Sequence, residues 1–310
     1  MSPIAEDRTQ MAAKIESVEG TAETLAAADG FLAFPGTDPD INQEMYKRNP
    51  YRETFSPMAS IPGKRSGKLP ITTELVGSGA AGTAPFWGKL MKACAFAETI
   101  VGGVSVAYAP ASASIPSLTA AAYMDGVIYK LWGARGSLKL DLEVGKPGLL
   151  HFDFQGSDWS VADGAMLVGI SYSSIIPPAF LGAVFTIDGI PFFVEKVSFD
   201  LATVLVLRPD PNSPSGNKSV RITGRDPKIT LDPEMVLCSS IDIWSKWRNG
   251  SQMALNCVLG STPGNIITIG VPKFQIADAK LGKRSGLRTN NLTALMALNA
   301  GDDEFTITLT

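Results

Sequence analysis

The strongest order along the chain is a period of two. Leu138, Leu140, Leu142 and Val144 alternate with Lys139, Asp141 and Glu143. A turn follows at Gly145-Lys146-Pro147-Gly148, and then Leu150, Phe152 and Phe154 alternate with His151, Asp153 and Gln155. One apolar and one polar face on each run predicts an antiparallel hairpin over 137–155. Two Asp-Gly pairs mark further hairpins, because both central positions of a two-residue turn need positive φ. Asp125-Gly126 separates Ala121-Ala122-Tyr123-Met124 from Val127-Ile128-Tyr129, and Asp188-Gly189 follows Val184-Phe185-Thr186-Ile187. Ile71 to Leu75 alternates as well and reads as a strand. Helical periodicity is scarce. Helices are expected at roughly 6–16, 85–97 and 239–249, the second carrying Phe86, Leu90, Met91 and Cys94 on one stripe behind Pro85. The pattern predicts a mainly β chain with one short helix per half.

Two stretches show no period. Residues 35–62, from Pro35 through Tyr46, Pro50, Tyr51 and Pro57 to Pro62, are polar and broken by prolines. A loop of that length in a compact domain is expected to be a functional arm or a lid. Residues 208–219 read as an exposed loop tip.

Four landmarks recur in order across the two halves. Asp29-Gly30 matches Asp188-Gly189, Ile71-Thr72 matches Ile229-Thr230, Trp87 matches Trp244, and Gly145 matches Gly301, at spacings of 159, 158, 157 and 156 residues. An internal duplication is one reading, with a boundary at Ser171–Leu181 where Pro177-Pro178 breaks regular structure. Coincidence is the other, since Asp-Gly pairs are common in this chain. A length of 310 residues accommodates two domains of ordinary size or one large one.

Composition narrows function by exclusion. A formal net charge of -3 with dispersed Lys and Arg does not make a nucleic-acid-binding face. The first twenty residues carry Glu6, Asp7, Glu16 and Glu19 and lack an apolar core, so no secretion signal is expected. No run approaches the apolar length of a membrane span. Cys94, Cys238 and Cys257 are unclustered, which suits buried free thiols in a reducing cytoplasm better than disulfides.

Candidate chemistry is sparse. Gly77-Ser-Gly79-Ala-Ala-Gly82 fits G-x-G-x-x-G, but the strand before it alternates polar and apolar residues instead of running apolar. The helix after it starts beyond the last glycine, so a phosphate would miss its N-terminus. A connector loop is expected there. Gly63-Lys-Arg-Ser-Gly67 and Gly282-Lys-Arg-Ser-Gly286 lack phosphate-loop spacing and read as solvated basic turns or contacts to acidic groups of a neighbouring subunit. His151 is the only histidine and sits on a polar strand face, so no histidine metal cluster can form. Asp302-Asp303-Glu304 reads as a solvated turn. Neither an enzymatic activity nor a cofactor or metal is expected.

Several runs together resemble a known family. They are Ala13-Lys-Ile-Glu16 with Glu19-Gly-Thr21 and Ala26-Ala-Ala-Asp-Gly30; the long block from Thr72 to Glu98; Gly133-Ala-Arg-Gly136; Phe152-Asp-Phe-Gln-Gly156; Gly264-Asn265 with Pro272; and Gly301-Asp-Asp-Glu-Phe305. These resemble the tail tube proteins of long-tailed bacteriophages, over nearly the whole chain. The resemblance implies β-sandwich or part-barrel domains with a short flanking helix, joined into a ring whose lumen is a continuous β-barrel. Rings would stack into the conduit for DNA ejection, with DNA present only in transit and no membrane involved. Implied partners are further copies of the chain and other tail proteins: tape measure, tail terminator and baseplate or tip. Assembly in the host cytoplasm into a virion tail follows from the same resemblance.

With a duplication, two tail-tube-like domains over 1–172 and 173–310 would let three chains close a pseudo-sixfold ring. With one tube domain and an accessory domain, six chains would be needed. Tyr46, Tyr51 and Phe55 in the arm are the candidate inter-ring contacts. Asp141, Glu143 and Asp153 are the candidate lumen residues, because a bore that lets DNA slide must not bind phosphate. A head or baseplate decoration protein, a tube subunit of a secretion machine, and an enzyme using the Gly-rich loop remain the competing readings.

Overall fold

A computed structural model describes residues 4–5, 7–36 and 38–310. Glu6, where the first expected helix begins, and Thr37, inside the 35–62 segment, lie outside the described residues. The strands of the first half are β1 (Thr9–Ile15), β2 (Gly30–Phe31), β3 (Asp40–Tyr46), β4 (Ile61–Glu74), β5 (Phe96–Val101), β6 (Ser105–Pro110), β7 (Leu118–Met124), β8 (Val127–Glu143), β9 (Leu149–Gly156) and β10 (Asp158–Asp163). Those of the second half are β11 (Val184–Ile187), β12 (Ile190–Pro191), β13 (Lys196–Asp200), β14 (Thr203–Pro209), β15 (Asn217–Arg225), β16 (Lys228–Leu231), β17 (Gln252–Leu259), β18 (Ile267–Arg284), β19 (Leu287–Met296) and β20 (Thr306–Leu309). Among the described residues the α-helices are α1 (Gly88–Ala93) and α2 (Ile243–Arg248), one in each half. The chain is mainly β, as the alternation predicted.

The long strands β8 and β18 organise the sheets. β8 pairs with β7 and β10 over its first part and with β9 and β13 over its second. Gly133, at φ 59, sits where it passes from one set of partners to the other. β18 pairs with β17 and β20 over its first part and with β19 over its second, with a register shift between Ile276 and Asp278. The order β2-β1-β7-β8-β10 in the first half therefore recurs as β12-β11-β17-β18-β20 in the second. The order β3-β4-β9-β8 likewise recurs as β13-β16-β19-β18. Two junctions join the halves: β13 lies along β8, and β20 lies along β6.

Individual expectations fare differently. The 137–155 hairpin forms as β8 and β9, and the Asp125-Gly126 and Asp188-Gly189 turns join β7 to β8 and β11 to β12. The expected helix at 6–16 is instead β1, which runs antiparallel to β7 with Ala12 opposite Ala121 and Ala13 opposite Ala120. These alanines are buried on both faces of the sheet, so the polar–apolar alternation that marks a half-wet strand is missing. Pairing overrides the helix propensity of alanine here. Of the landmark pairs, Ile71 and Ile229 lie on strands in corresponding places, β4 and β16, but Gly145 and Gly301 do not. Gly145 turns between β8 and β9, whereas the turn between β18 and β19 is Ser285-Gly286, and Gly301 lies in the later connection to β20.

The core runs without a break through both halves. Leu138, Phe152 and Trp87 of the first belong to the same buried cluster as Phe199, Ile269 and Phe305 of the second. Full burial of such side chains contributes about 1.5–3 kcal/mol each. Leu90, Met91 and Cys94 of the predicted stripe are buried, and the Trp87 indole donates to the Val76 carbonyl at 2.9 Å. α2 is capped by the Asp242 carboxylate, which accepts from the Ser245 amide at 2.9 Å. Both helices are shorter than predicted, because β5 begins at Phe96 and Gly250 takes a positive φ behind α2.

Candidate assembly surfaces

The strands β4, β9, β8, β13, β16, β19 and β18 form one continuous run of sheet with two unlike faces. Ile71, Phe152, Leu140, Phe199, Ile229 and Leu292 point into the core. The other face carries Lys139, Asp141, Glu143, His151, Asp153, Lys196, Ser198, Lys228 and Thr230. Asp141, Glu143 and Asp153 thus share one polar face, as their alternation predicted. Most of its charge is paired. Lys139 meets Asp141 at 2.8 Å, His151 Nε2 lies 3.3 Å from Asp141, and Glu143 meets both Lys146 at 2.9 Å and Lys196 at 3.5 Å. Partial burial would raise the Asp141 pKa, but hydrogen bonds from His151, Lys139 and Ser198 outweigh it and hold the carboxyl well below the usual range. The Lys146 hydrogen bond lowers Glu143 in the same way. His151 Nδ1 is 3.0 Å from Thr72 Oγ1, so the single histidine is built into the face.

The 35–62 segment is more ordered than its composition suggested. Asp40–Tyr46 pairs with β4 from Ile61 to Lys68, so the arm is a β-hairpin whose irregular tip is 47–60. Every residue of β3 is exposed, which is why no alternation announces it. Tyr46 ends β3, and Tyr51 and Phe55 stand fully exposed in the tip. The 208–219 segment is the matching hairpin of the second half, with β14 and β15 on either side of a tip at 210–216. This shorter hairpin is not fully exposed as expected. Ser215, Asn217 and Ser219 are buried, and the Arg65 amide donates to the Ser215 carbonyl at 3.1 Å.

Arg65 and Arg284, expected in solvated basic turns or at a neighbouring subunit, form ion pairs within the chain. Arg65 pairs with Asp158 at 2.5 Å, and Arg225 pairs with Glu304 at the corresponding place in the second half. Arg284 pairs within the chain with Asp232 at 2.8 Å and with Glu234 at 3.1 Å. The signal was present: Arg225, Lys228 and Asp200 each follow Arg65, Lys68 and Asp40 by 160 residues. In the register, Asp40 lies opposite Lys68 as Asp200 lies opposite Lys228. Asp302, expected in a solvated turn, also meets Arg225, at 2.5 Å.

The Gly-rich loop has a packing role. The Gly77 amide donates to Asn265 Oδ1 at 2.8 Å, and Gly79 takes φ 80. Cys94 and Cys257 are buried as expected, whereas Cys238 is exposed. Among the described residues, no group of three or more His, Cys, Asp or Glu side chains is placed to hold a metal ion, and no helix is long and apolar enough to cross a membrane.

A family model described as phage tail tube protein matches residues 6–304. The chain belongs to that family, and is a structural protein of the bacteriophage virion tail. No curated protein matches it.

Proposed function

We propose that this chain is the repeating unit of a phage tail tube, with copies joined edge to edge into rings and rings stacked around a bore that carries DNA. The observation that carries this reading is the junction of β8 with β13, where one half of the chain continues the sheet of the other through backbone pairing. Repetition of such a junction generates a closed wall and removes exposed strand edges.

The recurring pairing order, together with the two arginine–carboxylate pairs, supports a duplicated chain with tube domains over 1–172 and 173–310. Three chains then complete a pseudo-sixfold ring. The alternative of six chains requires one half to stand outside the wall, which a shared core and shared sheet disfavour.

The polar face of the long sheet faces the bore, with Asp141, Glu143 and Asp153 among its lining. Its lysines are balanced by neighbouring carboxylates, so the wall offers DNA phosphates little net attraction. The tip at 47–60, with Tyr51 and Phe55, reaches the next ring, and Tyr46 lies at its root. The ends of the tube meet other tail proteins. The subunit is made and assembled in the host cytoplasm, and it acts as a conduit without catalysing a reaction. Electron microscopy of the purified protein tests the reading. Tubes with a central hole are expected, and a protein that stays monomeric under all assembly conditions would contradict it.

A further inference from the structure

We infer the strand register of the seam between neighbouring chains in the ring: residues 38–41 of one copy pair antiparallel with 279–282 of the next, with Asp40 opposite Lys280. The inference rests on the ring reading above and deepens it.

The template is the junction inside the chain. β13 lies between β16 and β8, with Asp200 opposite Lys139, Phe199 opposite Leu140 and Lys196 opposite Glu143. In the first half the strand in the place of β13 is the start of β3. It pairs with β4 on one side only, and Asp40–Tyr46 is exposed throughout. In the second half the strand in the place of β8 is β18. Its later part pairs with β19 on one side, while β17 stops at Gln275 on the other. Among the described residues, one chain thus ends at each side in a strand edge without a strand partner, and the two edges are the halves of a junction already formed once internally.

The registers fix which residues meet. Asp40 is to Lys68 what Asp200 is to Lys228. Along the next strands, Ile71 lies opposite Phe152 and Phe152 opposite Leu138, as Leu231 lies opposite Leu292 and Leu292 opposite Ala279. Ala279 therefore stands for Leu138, Lys280 for Lys139 and Leu281 for Leu140. Transferring the internal junction sets Asp40 against Lys280, the same residue types that Asp200 and Lys139 place opposite each other; within the chain Lys139 bonds Asp141 and Lys280 bonds Asp278. The same transfer sets Pro39 against Leu281.

Burial agrees with a missing neighbour. Leu140 is 0% exposed beneath the internal junction, whereas Leu281 is 58% exposed at the open edge. Covering it removes an apolar side chain from water. Pro39 lacks the N–H that Phe199 has, so the seam forms one hydrogen bond fewer than its template. A proline at a strand edge also guards it against pairing out of register.

The test is a disulfide trap in assembled tubes, with Cys238→Ser removing the exposed native thiol. Asp40→Cys and Lys280→Cys are combined in one chain. Directly opposite residues have Cβ atoms about 4.5–5.5 Å apart, near enough for a disulfide after slight adjustment. Lys139→Cys with Asp200→Cys, within the chain, is the positive control. Oxidation is expected to give covalent dimers and then a closed three-chain species on non-reducing gels, with neither single variant doing so. Tubes that form normally and stay uncrosslinked while the control pair closes would overturn the seam and leave the tube reading standing. An unsubstituted protein that forms no tubes would overturn both.

A charge swap covers the case in which the cysteine variant fails to assemble. Asp40→Lys and Lys280→Asp should each lower tube yield, because like charges directly opposite are destabilising, and the double variant should restore it. Equal yields from single and double variants would overturn the register.

Discussion

The Gly79 amide donates to the Gly264 carbonyl at 3.1 Å, so the glycine-rich loop of the first half is bonded to a turn of the second. Closeness explains the glycines. A Cβ at Gly77 would lie 2.1 Å from the Gly264 oxygen, and one at Gly264 would lie 2.4 Å from the Ala80 amide nitrogen. Gly77 and Gly264 thus serve backbone packing between the halves, whereas Gly82 packs against Gly103 and Val101 within the first.

Gly77→Ala is therefore expected to destabilise the chain by about 1–3 kcal/mol, as overpacking of a tight contact does. Thermal denaturation of the free subunit measures it as a fall of several degrees in Tm. An unchanged Tm, or saturable micromolar binding of NAD or ATP in calorimetry, would contradict the packing role.

What the sequence disclosed depended on which strands have one wet face. β8 and β9 do, and their alternation made the hairpin and the common face of Asp141 and Asp153 readable. β1 has both faces covered and β3 has neither, so one resembled an alanine helix and the other a loop. Of the candidate assembly surfaces, the arm was visible as an interruption, but its matching hairpin at 208–219 was recognisable only from pairing. The proposed seam edge at Leu281 gave no local signal. An exposed leucine in a strand looks ordinary until it is set beside Leu140, its buried counterpart in the first half.

Glu16 is a buried carboxylate with four donors: the Gly20 and Gly133 amides at 2.8 and 2.7 Å, and the hydroxyls of Ser117 and Thr119 at 2.5 and 3.0 Å. Glu16→Ala leaves these groups without their acceptor and should lower stability by about 3 kcal/mol or more. Glu16→Gln, which keeps one acceptor oxygen, should fall between. Chemical denaturation of the three proteins gives the order, and equal midpoints would contradict it.

Acid should loosen the polar face. The Asp141 carboxyl is held below its ordinary pKa near 3.8, so its contribution is fully present at neutral pH. That contribution disappears as pH falls below the unfolded-state value and through the lower folded one. The stability gap between the unsubstituted protein and Asp141→Asn should shrink below about pH 4. A gap that grew as pH fell through that range would contradict the lowered Asp141 pKa.

The arm should matter to assembly and not to folding. Tyr51→Ala with Phe55→Ala should leave the free subunit within about 0.5 kcal/mol of the original, as surface substitutions do. The same pair should shorten tubes seen by electron microscopy. Replacing 47–60 by a short turn should leave rings that do not elongate, and full-length tubes from that variant would remove the inter-ring role.

A cryo-electron microscopy reconstruction of the tube without imposed symmetry is expected to show three chains per ring, with β8 and β18 alternating around the wall and Asp141 facing the bore. Six chains per ring, with β8 in the wall and β18 outside it, would contradict the three-chain ring.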